Sequence, residues 1–220
     1  MRHLTKAIAF VATIAAQGGA AAQEWNGCDS PDLDRKIASC TKLIETPDLD
    51  PAQRARAFLQ RGYSYLRLGQ YQRAIRDYDE TIRTSLLSQA PVALNYRAIA
   101  YNNRAVAYDR LGQPSQALPD AEKAVQTVPR EPHFYATRGG IKKSLSDPQG
   151  AIRDHDTAMT LGGARWIKHY QCGLRLAGLY HGPVDGILRA ELRAALHICV
   201  DKGRTCDAVS TDPECPDPVG

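Results

Sequence analysis

The sequence predicts an all-α chain of repeated helical hairpins, and three observations carry that expectation. A block made of an aromatic, two spacers, an arginine and a small residue occurs three times, as Phe58 to Gly62, Tyr101 to Ala105 and Tyr135 to Gly139. Twelve residues beyond each small residue stands an alanine (Ala74, Ala117, Ala151), and seven further on stand Thr81, Ala124 and Ala158. Prolines follow acids at Asp50-Pro51, Glu131-Pro132 and Asp147-Pro148, where a first helical turn tolerates the missing N–H. The repeats step by 43 and then 34 residues, a spacing typical of stacked helix-turn-helix units.

Taken from the start, residues 1–22 have the pattern of a secretory signal peptide: Arg2 and Lys6, an apolar run from Ala7 to Ala16, then small residues ending at Ala20, Ala21 and Ala22. Cleavage is expected near Ala22, leaving a periplasmic or secreted chain. The apolar run is shorter than the roughly 20 residues a membrane span needs, and no later segment comes closer. The formal charge of +4 drops to +2 without Arg2 and Lys6, too mild for a nucleic-acid partner. Charge is uneven, with an acid-rich stretch over 28–51 and ten arginines against four acids over 52–112.

All six cysteines, Cys28, Cys40, Cys172, Cys199, Cys206 and Cys215, lie beyond the leader. An even number in an exported chain predicts disulfides. Their spacing contains no C-x2-C pair, so no metal site is expected. A helix capped near Asp32 would bring Cys40 within reach of the preceding loop, which favours Cys28 with Cys40. Cys172 with Cys199, and Cys206 with Cys215, are one assignment among several.

Residues 23–50 are expected to supply one amphipathic helix, Leu33 to Ile44, with Ile37, Cys40, Leu43 and Ile44 on one side. It would cap the open end of the repeats. Three units follow within 51–165, at 55–88, 98–131 and 132–165. Their pattern resembles the tetratricopeptide repeat, whose small residues let paired helices approach and whose aromatics fill the space between hairpins. Gly62, Ala105 and Gly139 would take the close-approach positions, and Gly69 and Gly112 the turns that require positive φ. The third unit departs from the pattern at Lys142, His155 and Gly163. The insert from Leu87 to Asn95 is expected to lengthen the second helix of the first unit. Arg61, Arg104 and Arg138 recur at one repeat position and are expected to bridge acids of the adjoining helix.

In that family the first helices of the hairpins line a groove for a peptide or protein segment. The resemblance places Arg56, Gln60, Tyr63 and Arg67, then Asn102, Asn103, Val106 and Arg110, then Lys143 along it. These donors suit a carboxylate or an extended backbone.

Residues 166–203 contain Gly182-Pro183-Val184-Asp185-Gly186 between two apolar-periodic stretches, with Arg193 to Leu196 in the second. This resembles a peptidoglycan-binding domain. The resemblance implies a small helical module with its turn at Tyr180, Gly182, Asp185 and Gly186. Arg189, Ala190 and Leu192 depart from that family's pattern at the second helix start. Residues 204–220 are expected to form an irregular, disulfide-pinned tail.

No nucleophile, base and orienter come together in the sequence. His133, His155, His169, His181 and His197 lack the glutamate context of a zinc hydrolase and are expected on exposed helix faces. Asp77 and Asp79 fall on opposite sides of a helix. No cofactor is expected. The sequence thus predicts a non-enzymatic, exported interaction scaffold of the bacterial envelope that binds an envelope protein or peptide segment. Peptidoglycan binding through the C-terminal segment is the alternative.

Overall fold

A computed structural model of the protein describes residues 22–203. Apart from Ala22, the expected leader lies outside the described residues, as do Cys206, Cys215 and the tail over 204–220. The described residues form helices and no strand: α1 (22–28), α2 (Leu33–Glu45), α3 (Pro51–Arg67), α4 (Tyr71–Ser85), α5 (Val92–Arg110), α6 (Pro114–Thr127), α7 (Pro132–Ser144), α8 (Pro148–Leu176) and α9 (Ala190–Asp201). No described helix is long and apolar enough to cross a membrane.

The start signals act as their chemistry requires. Asp32 caps α2, its side chain accepting from the Arg35 N–H. Asp50, Glu131 and Asp147 cap α3, α7 and α8 in the same way, each followed by proline at the first helical position. Side-chain caps of this kind stabilise a helix by about 1 kcal/mol each. Gly69 and Gly112 close the turns at φ 71° and 72°.

The chain divides into two compact units that meet within α5, between Asn103 and Arg104. In the first, Leu59, Ala74, Tyr78, Ile82 and Ala100 form one core cluster. Gly62 allows the approach of α4, since a Cβ there would lie 2.9 Å from the Tyr78 ring. A second cluster of Cys28, Cys40, Leu43 and Ala57 seats α2 on α3, and Cys28 and Cys40 are joined by the expected disulfide. Arg61 Nη1 adds a bond to Thr41 Oγ1 of α2 at 2.9 Å.

In the second unit, Ala105, Ala117, Ala121 and Ile141 pack together. A larger cluster joins Ala151, Met159, Trp166, Tyr170, Leu174, Tyr180, Leu192 and Leu196. Cys172 and Cys199 are both disulfide-bonded.

Two expectations change, and one helix runs further than its repeat. The insert does not lengthen the second helix of the first unit: α4 ends at Ser85, and residues past Pro91 begin α5 instead. Leu86 and Leu87 are left exposed in the loop, and Pro91 sets the new start because its ring disfavours helix in the residue before it. The third unit runs on without a loop past residue 165. Its second helix continues as α8 through a break at Gly163, with φ 63° and ψ −153°, a conformation open essentially to glycine alone. His155 and His169 are buried, not exposed. His155 fills the place that Tyr78 takes in the first hairpin, lying under Gly139 as Tyr78 lies under Gly62, and its Nδ1 pairs with the Tyr170 hydroxyl at 2.8 Å.

Candidate functional site

Along α3, Arg56, Gln60, Tyr63 and Arg67 fall at helical spacings that share a face, while Ala55, Leu59 and Gly62 are buried. The four predicted residues are therefore brought together in the first unit. Arg67 donates to the Tyr63 hydroxyl at 2.8 Å. The Tyr63 ring carries a second cation, Lys36 Nζ of α2, 5.4 Å from its centroid. Arg56 lies over the Trp25 ring at 4.6 Å and donates through Nη2 to both oxygens of Asp29, at 2.9 and 2.7 Å. Gln60 Nε2 adds a longer contact to the same carboxylate, 3.4 Å from Oδ1.

Beside this row lies a cleft of about 250 Å³ lined by Arg56, Leu59, Gln60, Tyr63, Tyr96 and Ile99. Its lining combines Leu59, Ile99 and two tyrosine rings with one guanidinium and one amide. Arg56 lines the cleft, and Lys36 and Arg67 both lie against the ring of its neighbour Tyr63, so this face carries three cations with Asp29 as a nearby acid.

The α5 residues separate by burial. Asn102 is 1% exposed and points away from solvent, so it does not line an open groove; its Nδ2 donates to Asn103 Oδ1 at 3.1 Å. Asn103 is half-buried. In the second unit Arg110 is exposed at the end of α5, while Val106 and Lys143 are half-buried.

The expected C-terminal turn is ordered from within. Tyr180 is buried and its hydroxyl donates to the Pro183 carbonyl at 3.2 Å. Gly182 faces that ring closely, and Gly186, at φ 79°, leaves no room for a Cβ beside Ala164. Asp185 accepts from the Ile187 N–H at 3.0 Å and from Arg189 at 2.8 and 2.6 Å. The Arg189 guanidinium and that backbone N–H hold the Asp185 carboxyl far below the usual carboxylate range.

Trp25, Asp29, Leu59, Tyr96 and Ile99 were not expected at the first site, nor Gln171 at the turn. Asp29 sits in the acid-rich stretch beside Cys28, the only signal for it in the sequence. The Arg61, Arg104 and Arg138 row does bridge to acids, through Asp77, Asp120 and Asp154.

Residues 55–83 match one model of the tetratricopeptide repeat and residues 97–128 match another. No curated protein matches the chain. Two tandem segments are thus similar to tetratricopeptide repeats, and α7 with the first half of α8 forms a further hairpin with the same Arg-to-Asp link.

Proposed function

With two tandem segments of tetratricopeptide type as the premise, we propose that the chain is a non-enzymatic interaction scaffold acting in the bacterial envelope. Its binding face is the row on α3, half-buried at Arg56, Gln60 and Tyr63 and exposed at Arg67, together with the cleft beside it. The observation that carries this is the alignment of Arg56, Gln60, Tyr63 and Arg67 along one face of α3, beside a cleft that Leu59, Tyr96 and Ile99 also line. Such a face offers an extended segment hydrogen bonds and a place for a side chain. Export is supported by the leader pattern of residues 1–22 and by a disulfide between Cys28 and Cys40, a bond that persists in oxidising compartments.

Wall binding through the C-terminal turn is the second reading, supported by the Gly182 to Gly186 motif. It ranks lower because Asp185, Arg189 and the Tyr180 hydroxyl are already committed to one another and to the backbone.

A photo-crosslinking residue in place of Arg67, in intact cells, tests the scaffold reading. One recurrent protein adduct supports it; the absence of protein adducts from a folded, exported sample overturns it. Retention on purified sacculi at moderate salt would instead favour the wall-binding reading.

A further inference from the structure

We propose that Arg56 and Gln60 form a carboxylate-binding site for a partner segment that places an acidic residue next to an aliphatic one, and that Asp29 occupies this site in cis. The inference rests on the scaffold reading and names the chemistry of the segment it would bind.

The donors are already arranged around a carboxylate. Arg56 Nη2 reaches both Asp29 oxygens at 2.9 and 2.7 Å, and Gln60 Nε2 approaches Oδ1 at 3.4 Å. Asp29 lies outside the hairpins, just past α1, so it stands where an external acid would stand. Arg56 is braced from behind by the Trp25 ring. The neighbouring cleft, lined by Leu59, Tyr63, Tyr96 and Ile99, takes an aliphatic side chain beside that acid. A charged group at one end and apolar walls at the other define a two-part ligand.

Asp29 is held in position. It follows Cys28, which the disulfide to Cys40 anchors on α2. Gly27 lets the chain pass closely over α2, since a Cβ there would lie 2.0 Å from Ser39 Oγ. The pair is nevertheless exchangeable, because the Arg56 and Asp29 side chains are 38% and 41% exposed. Exposed ion pairs of this kind bias an equilibrium by no more than about fivefold, so an external carboxylate with an aliphatic neighbour displaces Asp29 without unfolding anything.

The test uses the mature chain and two capped tripeptides, one of leucine, glutamate and leucine and one with glutamine in the middle, read by Trp25 fluorescence and calorimetry. The glutamate peptide is expected to bind more tightly than the glutamine peptide. Asp29→Asn is expected to tighten the glutamate peptide by about threefold to fivefold and to leave the glutamine peptide unchanged. Arg56→Gln is expected to abolish the difference between the two peptides. Equal affinity of wild type and Asp29→Asn for the glutamate peptide overturns the cis occupancy, and a preference that survives Arg56→Gln overturns the carboxylate site. Asp29 is exposed and Arg56 half-buried, and an unchanged unfolding midpoint confirms that each variant folds. Crosslinking from Arg67 separates the two readings: capture of a protein by a chain carrying Arg56→Gln keeps the scaffold and removes this site.

Discussion

Arg61 and Asp77, sixteen residues apart, lock the first hairpin through two parallel contacts, Nε to Oδ2 and Nη2 to Oδ1, both 2.8 Å. The same pairing at the same separation joins Arg104 to Asp120 and Arg138 to Asp154. Each arginine directly precedes the close-approach residue of its hairpin, and each aspartate follows the core alanine by three positions. The row of arginines is therefore a series of cross-helix locks. The aspartate side chains are only 5–7% exposed and the guanidinium groups 17–18%, so each lock sits at the margin of the core.

Removing the aspartate takes from the arginine the carboxylate it faces in a partly dry site. Asp120→Ala is expected to destabilise the protein by about 2–4 kcal/mol, toward the range for broken buried pairs. Replacing both Arg104 and Asp120 by leucine is expected to recover most of that loss, because no stranded charge remains. Urea unfolding of the single and double variants checks it. A single variant within about 0.5 kcal/mol of the parent would show that the lock behaves as an ordinary surface pair.

Two of the locks respond oppositely to acid. Burial pushes the Asp77 carboxyl up, against the opposing pull of Arg61. Burial acts on Asp154 in the same direction, but hydrogen bonds from Arg138 and from Lys142, the latter at 2.8 Å, together outweigh it and hold that carboxyl below its ordinary value. A carboxyl depressed in the folded state contributes stability that is present above its unfolded value of about 3.9 and lost as the pH falls through the lower folded value. Asp77, raised in the folded state, acts oppositely. Its term favours the fold below the unfolded value and is lost as the pH rises through the folded one. Lys142→Met is expected to raise the Asp154 titration and to move acid unfolding to higher pH, with Asp77 unmoved. Carboxyl carbon titrations by NMR read both groups; an unshifted Asp154 would show that Lys142 contributes nothing.

Much of the hairpin architecture was legible because single residues carry backbone geometry. Pro51, Pro132 and Pro148 mark helix starts, Gly69 and Gly112 mark turns, and Gly62, Ala105 and Gly139 mark close approach. Each acts through its own covalent structure, so it can be read without knowing its neighbours. The start of α5 was missed because Pro91 is compatible with both a longer loop and a new helix, and tertiary packing decided between them. Asp29 and Gln171 were missed for a different reason. Their roles depend on partners 27 and about 15 residues away, and neither stands in a periodic pattern. The resemblance to the repeat family places Asn102 on the groove face by its position; one step along α5 turns about 100° around the helix axis, which buries Asn102 and leaves Asn103 half-buried.

Gly139 and Gly140 are adjacent in α7 and make opposite demands. A Cβ on Gly139 would lie 3.1 Å from His155 and 3.2 Å from the Ala151 carbonyl oxygen, whereas one on Gly140 meets nothing within 4 Å. Alanine replaces glycine in a helix with a gain of about 0.5–1 kcal/mol, so Gly140→Ala is expected to raise stability by that amount. Gly139→Ala gains the same term but pushes α7 from α8, where overpacking costs about 1–3 kcal/mol. A net loss is expected. Thermal unfolding of the two variants side by side checks the contrast, and a stabilised Gly139→Ala would mean that the hairpin opens without resistance.

Gln171 lies at the centre of the C-terminal turn without being part of its motif. It is fully buried in α8. Its Oε1 accepts from the N–H groups of Asp185 and Gly186, at 3.0 and 2.9 Å, and its Nε2 donates to Asp185 Oδ1 and the Ile187 carbonyl, at 3.1 and 3.2 Å. One amide thus satisfies four polar groups of a segment that has no regular structure. Gln171→Leu keeps the volume but strands two backbone donors and a carbonyl, at about 1–3 kcal/mol for each group left unsatisfied and buried. The expected outcome is a loss of about 2–4 kcal/mol, with amide exchange at Asp185 and Gly186 accelerated well beyond that at Leu192 in α9. If exchange rises equally at all three, Gln171 supports the whole unit; if it rises at none, the turn is held by the bidentate Asp185 to Arg189 contact alone.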